Sequence, residues 1–111
     1  MKLIVAIVQD EDSGRLVSAL MDQGFSVTKL ATTGGFLRAG NTTLISGVED
    51  DKLDTVLGVI EKICKSREQI TASTAPMGSS AAGGVYVPYP IRVTVGGATI
   101  FVLEVSQFLK V

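Results

Sequence analysis

A chain of 111 residues can bury one real core and is too short for two independent domains, so a single domain spanning 1–111 is expected. Ten basic residues against eleven acidic ones give a formal net charge of -1, which provides no field for holding a nucleic-acid polymer or an anionic membrane surface. The absence of histidine excludes Ser-His-Asp and Cys-His catalysis and imidazole ligation of a metal, and the single cysteine, Cys64, has no partner for an internal disulfide, which fits a reducing, cytoplasmic compartment.

The elements are legible in chain order. Residues 3–8 are apolar at both alternating sets of positions, which predicts a strand buried on both faces; the run is too short for a signal-peptide core or a membrane span. A helix follows, capped by Asp12 or Ser13, with Leu16, Val17, Leu20 and Met21 as its apolar stripe and Gly24 at its C-terminal boundary. Residues 25–32 and 42–48 are rich in β-branched side chains and predict two strands joined by the glycine-bearing segment 33–41. A second helix starts at Asp50 or Asp51 and repeats Leu53, Val56, Leu57, Ile60, Ile63 and Cys64 at helical spacing. Cys64 falls on its apolar side and reads as core.

Residues 66–84 are small and polar and predict a long, mobile loop. Residues 86–90 hold Pro88 and Pro90, which withhold ladder donors and suit an edge strand. Segments 91–95 and 99–105 flank Gly96-Gly97, a two-residue turn signature that predicts a C-terminal hairpin. The fold class expected is therefore α+β: a ferredoxin-like βαββαβ antiparallel sheet with two helices on one face and an additional C-terminal strand. Apolar residues on both faces of the first and last strands would leave the second sheet face greasy and bare, so self-association in a closed oligomer is expected, folding of the long loop over that face being the alternative.

The acidic runs 10–12 and 49–51 each precede a helix, where carboxylates favour the positive end of the helix dipole, so they read as capping groups rather than cation ligands, and no metal site is expected. Chemistry concentrates in 28–43. That stretch holds Gly34, Gly35 and Gly40, whose backbone can approach a phosphate; Arg38, a planar fork to neutralise it; Phe36, a stacking face for a purine; and Asn41, an amide able to pair with an adenine edge. Phe36 and Leu37 packing against a neighbouring subunit is the alternative reading of the same residues.

The segments Ala6-Ile7-Val8-Gln9-Asp10, Thr28-Lys29-Leu30-Ala31-Thr32-Thr33-Gly34-Gly35-Phe36-Leu37-Arg38-Ala39-Gly40-Asn41-Thr42-Thr43, Pro76-Met77-Gly78, Pro88-Tyr89-Pro90 and Val95-Gly96-Gly97-Ala98-Thr99 closely resemble the cyclic di-AMP receptor family of PII-like signal proteins of Gram-positive bacteria. The resemblance runs over essentially the whole chain. It implies a homotrimer with one cyclic di-AMP at each subunit interface, no catalytic activity, no resident cofactor, and an unidentified downstream protein partner that reads a change in loop conformation. It also implies a nucleotide site on Thr28, Gly35, Phe36, Leu37, Asn41 and Gly47, with Phe101 from the C-terminal hairpin. Two positions depart from the family pattern: Ser26 stands where a basic residue is common, and Lys110 where some members carry a glutamine. The rival reading on the same fold is a PII-type regulator of ATP or another adenine nucleotide, which normally rests on a longer loop between its second and third strands. An RNA-binding module of this plan would need stacking aromatics on its central strands and a basic face. An acylphosphatase-like enzyme would need an arginine and asparagine signature outside the segment 28–43.

Overall fold

The structure, a computed structural model, describes residues 1–30, 40–76 and 86–111. Its elements are β1 (Lys2–Gln9), α1 (Asp10–Asp22), β2 (Thr28–Leu30), β3 (Asn41–Val48), a 3-10 turn (Asp50–Lys52), α2 (Leu53–Cys64), β4 (Arg67–Pro76), β5 (Tyr86–Val95) and β6 (Ala98–Glu104). The first, second, third and last strands form an antiparallel sheet in the order β2-β3-β1-β6. Both helices pack on one face, an α+β arrangement consistent with the ferredoxin-like plan.

One face of the sheet is fixed by alternation. Ile4, Ala6 and Val8 of β1 and Leu44 and Val48 of β3 are buried against Leu16 and Leu20 of α1 and Val56, Ile60 and Cys64 of α2. The helix residues recur at i and i+4, so each helix lays one continuous stripe on the strands. Helix α1 ends in a Schellman arrangement: the Phe25 amide donates to the Leu20 carbonyl at 3.0 Å and the Gly24 amide to that of Met21 at 2.9 Å, with Gly24 at φ 88°. Polar groups that this packing buries are paired. Ser46 Oγ donates to the Ser26 carbonyl at 2.7 Å and Ser13 Oγ to that of Asp10 at 2.9 Å.

Four expectations need correction. Residues 67–76, within the segment expected to be a loop over 66–84, are strand β4, paired in antiparallel register with β5 from Arg67↔Val95 to Pro76↔Tyr86; the remainder of that segment lies outside the described residues. This ribbon pairs only with itself among the described residues, so it has no core face to impose the apolar alternation that marks a strand in sequence. Gly96-Gly97 does not turn a terminal hairpin: β5 belongs to the ribbon and β6 pairs with β1, from Lys2↔Glu104 to Val8↔Ala98, so the two glycines carry the chain from one sheet to the other. The additional strands are thus the inserted pair β4 and β5, and β6 is the fourth strand of the main sheet. Helix α1 begins at Asp10 with Gln9 at its N-cap and no side-chain capping bond, so neither Asp12 nor Ser13 caps it.

Of the strand expected over 25–32, residues 28–30 pair with β3, while Phe25 and Val27 pack on the core ahead of the ladder. The second helix is entered through the 3-10 turn at Asp50. Pro88 and Pro90 lie in β5, which among the described residues pairs on one side, with β4, as edge prolines require. No helix among the described residues is long and apolar enough to cross a membrane.

Candidate functional site

Register determines which side chains share the sheet face away from the helices. Cross-strand partners point to the same side, and Thr28 pairs with Ile45, Ile45 with Val5, and Val5 with Phe101. These residues form one row across all four strands. The next rows add Leu3, Gly47 and Leu103 on one side and Ile7, Thr43 and Leu30 on the other. Phe101 is 54% exposed, Leu103 48% and Leu30 41%, so this face presents apolar side chains to solvent. Gln9 and Asn41, paired at the end of the β1–β3 ladder, continue the same face to its rim.

All four described members of the expected nucleotide site, Thr28, Asn41, Gly47 and Phe101, therefore lie on one face. Gly35, Phe36, Leu37 and Arg38 lie outside the described residues, as do Gly34 and most of the segment 33–41. The four are spread over the face rather than clustered. Three inter-strand steps separate Thr28 on one edge strand from Phe101 on the other, about 14 Å at ordinary strand spacing. Gly47 pairs with Leu3, and a Cβ placed on it meets only the Met1 sulfur, at 3.8 Å, so the strand surface above it is open.

Where the face meets the junction between β5 and β6, a polar cleft of about 420 Å³ is lined by Ile7, Gln9, Asn41, Gly96, Gly97 and Thr99 among others. Of these only Asn41 carried a chemical expectation from sequence. Gln9 stood in the apolar strand's tail, and the two glycines read as a turn; pairing of β6 beside β1 is what brings them together, and that contact has no local signature. A second cleft of about 560 Å³ runs between α2 and β6, lined by Leu57, Ile60, Cys64, Ile100 and Val102. It is larger and more apolar, and it holds none of the expected site residues. The polar cleft is the better candidate because it brings the side-chain amides of Gln9 and Asn41 to one point and includes a member of the expected site.

The cleft's framework is held by hydrogen bonds that converge on the first turn of α1. Gln9 Oε1 accepts from the Gly96 amide at 2.7 Å, the Asp10 amide donates to the Gly40 carbonyl at 2.8 Å, and Thr42 Oγ1 donates to the Asp10 carboxylate. Asp12, with no exposed surface, accepts from Arg67 Nη2 at 2.9 Å and from Arg15 Nη2 at 2.8 Å. The Arg67 guanidinium, more than burial opposes it, holds the Asp12 carboxyl below the usual carboxylate range, with Arg15 adding to the effect. In return Asp12 raises the pKa of Arg67. Burial pushes the Cys64 thiol up, which keeps it protonated and unreactive, in keeping with its place in the core.

The arrangement offers the Asn41 side-chain amide at the rim and an exposed aromatic, Phe101, on an apolar sheet face, groups suited to recognising a planar heterocycle with polar edges. Comparison with known proteins bears on which one. A family model described as cyclic-di-AMP receptor matches residues 1–111, the whole chain. A solved structure of a functionally unknown protein from Pediococcus pentosaceus ATCC 25745 is 43% identical to this chain, with a TM-score of 0.76 over 99% of this chain and 96% of that one.

Proposed function

The chain belongs to the cyclic-di-AMP receptor family, and we propose that it is a non-enzymatic receptor that binds cyclic di-AMP between the subunits of a homotrimer. The whole-chain family match carries the reading. The geometry of the open face supports it: Thr28 and Phe101 stand on opposite edge strands, so a ligand enclosed by both kinds of residue is best built by two copies, each contributing one edge. Covering Phe101, Leu103 and Leu30 with another copy also removes an exposed apolar patch that a monomer would carry.

In this reading Asn41 hydrogen-bonds an adenine edge, Phe36 and Phe101 stack on the bases, Leu37 walls them, Thr28 and Arg38 meet the phosphates, and Gly35 and Gly47 let backbone approach closely. No histidine is present to act as a general base or metal ligand. A receptor without a catalytic group transmits its state through a changed surface, so a protein partner completes the function. The cytoplasm, where the messenger and a reduced Cys64 coexist, is the setting.

Thermal unfolding tests the assignment. Cyclic di-AMP at about 100 times its dissociation constant stabilises the folded state by roughly 2.7 kcal/mol and raises Tm. Asn41→Ala removes most of that shift while leaving the ligand-free Tm in place. A shift with ATP and none with cyclic di-AMP would instead make the protein a PII-type regulator of ATP.

A further inference from the structure

The two carboxamides of the polar cleft are not equivalent. Gln9 and Asn41 are cross-strand partners at the end of the β1–β3 ladder, which sets their side chains next to each other on one face, about 5 Å apart at Cβ. Both line the cleft. Gln9 commits one end of its carboxamide to the protein: Oε1 accepts from the Gly96 amide at 2.7 Å. A backbone N–H needs an acceptor, so this bond fixes which way the group is turned, and the end left for the cleft is the donor Nε2.

The anchor of that bond is closely packed. The adjoining Gly97 amide donates to the Cys64 carbonyl, and a Cβ on Gly96 would lie 2.5 Å from Arg67 Nη1 and 2.6 Å from the Lys65 oxygen. Asn41 is held from both sides as well. The preceding Gly40 carbonyl accepts from the Asp10 amide at 2.8 Å, and the following Thr42 Oγ1 donates to the Asp10 carboxylate. A glutamine gripping a ligand normally gives up rotamer freedom at that moment; Gln9 has already given it up to Gly96, so a contact from Nε2 costs less ordering.

We propose that Gln9 is a specificity-determining residue of the nucleotide site, its Nε2 donating to the adenine ring nitrogen that flanks the 6-amino group while Asn41 Oδ1 accepts from that amino group. This rests on the ligand reading above. On either edge that bears the amino group, adenine shows a donor beside an acceptor, which matches an acceptor on Asn41 beside a donor on Gln9. Guanine carries a carbonyl in place of the amino group, and on one of those edges its own ring N–H would face the Gln9 donor. A free carboxamide answers such a change by flipping. The bond from Gly96 closes that route for Gln9, so the mismatch counts against guanine instead of being absorbed.

Titration of the full chain with cyclic di-AMP and with its analogues carrying 1-deazaadenine or 7-deazaadenine tests it. The wild type binds one of the two analogues about tenfold more weakly than cyclic di-AMP, the loss expected for one hydrogen bond in a site closed from water. Gln9→Met binds cyclic di-AMP about tenfold more weakly and no longer distinguishes it from that analogue. Gln9→Glu still accepts from Gly96, read as unchanged protection of the Gly96 amide in hydrogen exchange, yet puts an acceptor where the donor was, and it too loses the distinction. A wild type that binds all three nucleotides alike, or variants that discriminate as the wild type does, would overturn the proposal, reduce Gln9 to a brace of the junction between β5 and β6, and leave the ligand reading standing. Failure of the wild type to bind cyclic di-AMP would overturn the ligand reading and this proposal together.

Discussion

Asp12 shows what a single residue contributes when sequence suggests one role and packing imposes another. In sequence it belongs to a capping run; in the fold it is a buried carboxylate between two arginines, because β4 brings Arg67 back to α1 from 55 residues away. Asp12→Asn should cost about 1.5–3 kcal/mol in urea unfolding, the range for hydrogen bonds to charged groups, since both arginines can rehydrate. Its folded pKa is lowered, so its contribution is present above the ordinary carboxylate value near 4 and is lost as pH falls through the folded value; the variant should therefore lose the difference in stability below about pH 4. Gly96→Ala combines a disfavoured φ of 85° with two close approaches and should destabilise by roughly 2 kcal/mol or more by the same measurement. Thr28 and Asn41 drew their expectation from the long motif over 28–43 and Gly47 and Phe101 from the family resemblance, and strand register sets all four on one face. Gln9 and Gly96 were not legible, because their meaning arises only from a contact between residues 87 positions apart.

At the scale of elements, legibility was best where an element packs on the core. Both helices read from their apolar stripes and β3 from its β-branched run, while β1 and β6 read as apolar runs on both faces, of which β1 buries Ile4, Ala6 and Val8 and β6 gives the core only the partly buried Ile100. β2 read too long, since only 28–30 of the described residues reach the ladder, and β4 went unread because a ribbon paired to itself demands no pattern. The same distinction predicts energetics. Leu16→Ala in α1 and Ile60→Ala in α2, both at fully buried positions, should cost about 2–5 kcal/mol in equilibrium unfolding, whereas Ile70→Ala in β4, at a position 66% exposed, should cost less than about 0.5 kcal/mol. Comparable losses at all three would mean that the ribbon is packed into the core.

For the whole molecule, the sheet has one face that the two helices cover and one that the described residues leave open. The covered face makes the fold, and the uncovered face carries every described residue of the expected site. A receptor assembled from copies of such a sheet would gain its stability and its ligand cavity from the same contact, which ties oligomeric state to binding. The central claim is that this chain binds cyclic di-AMP, and isothermal titration of the wild-type protein with that nucleotide tests it most directly. The account predicts saturable heat with about one ligand per subunit; no heat at protein and ligand concentrations of about 100 μM, with the protein folded, would contradict it.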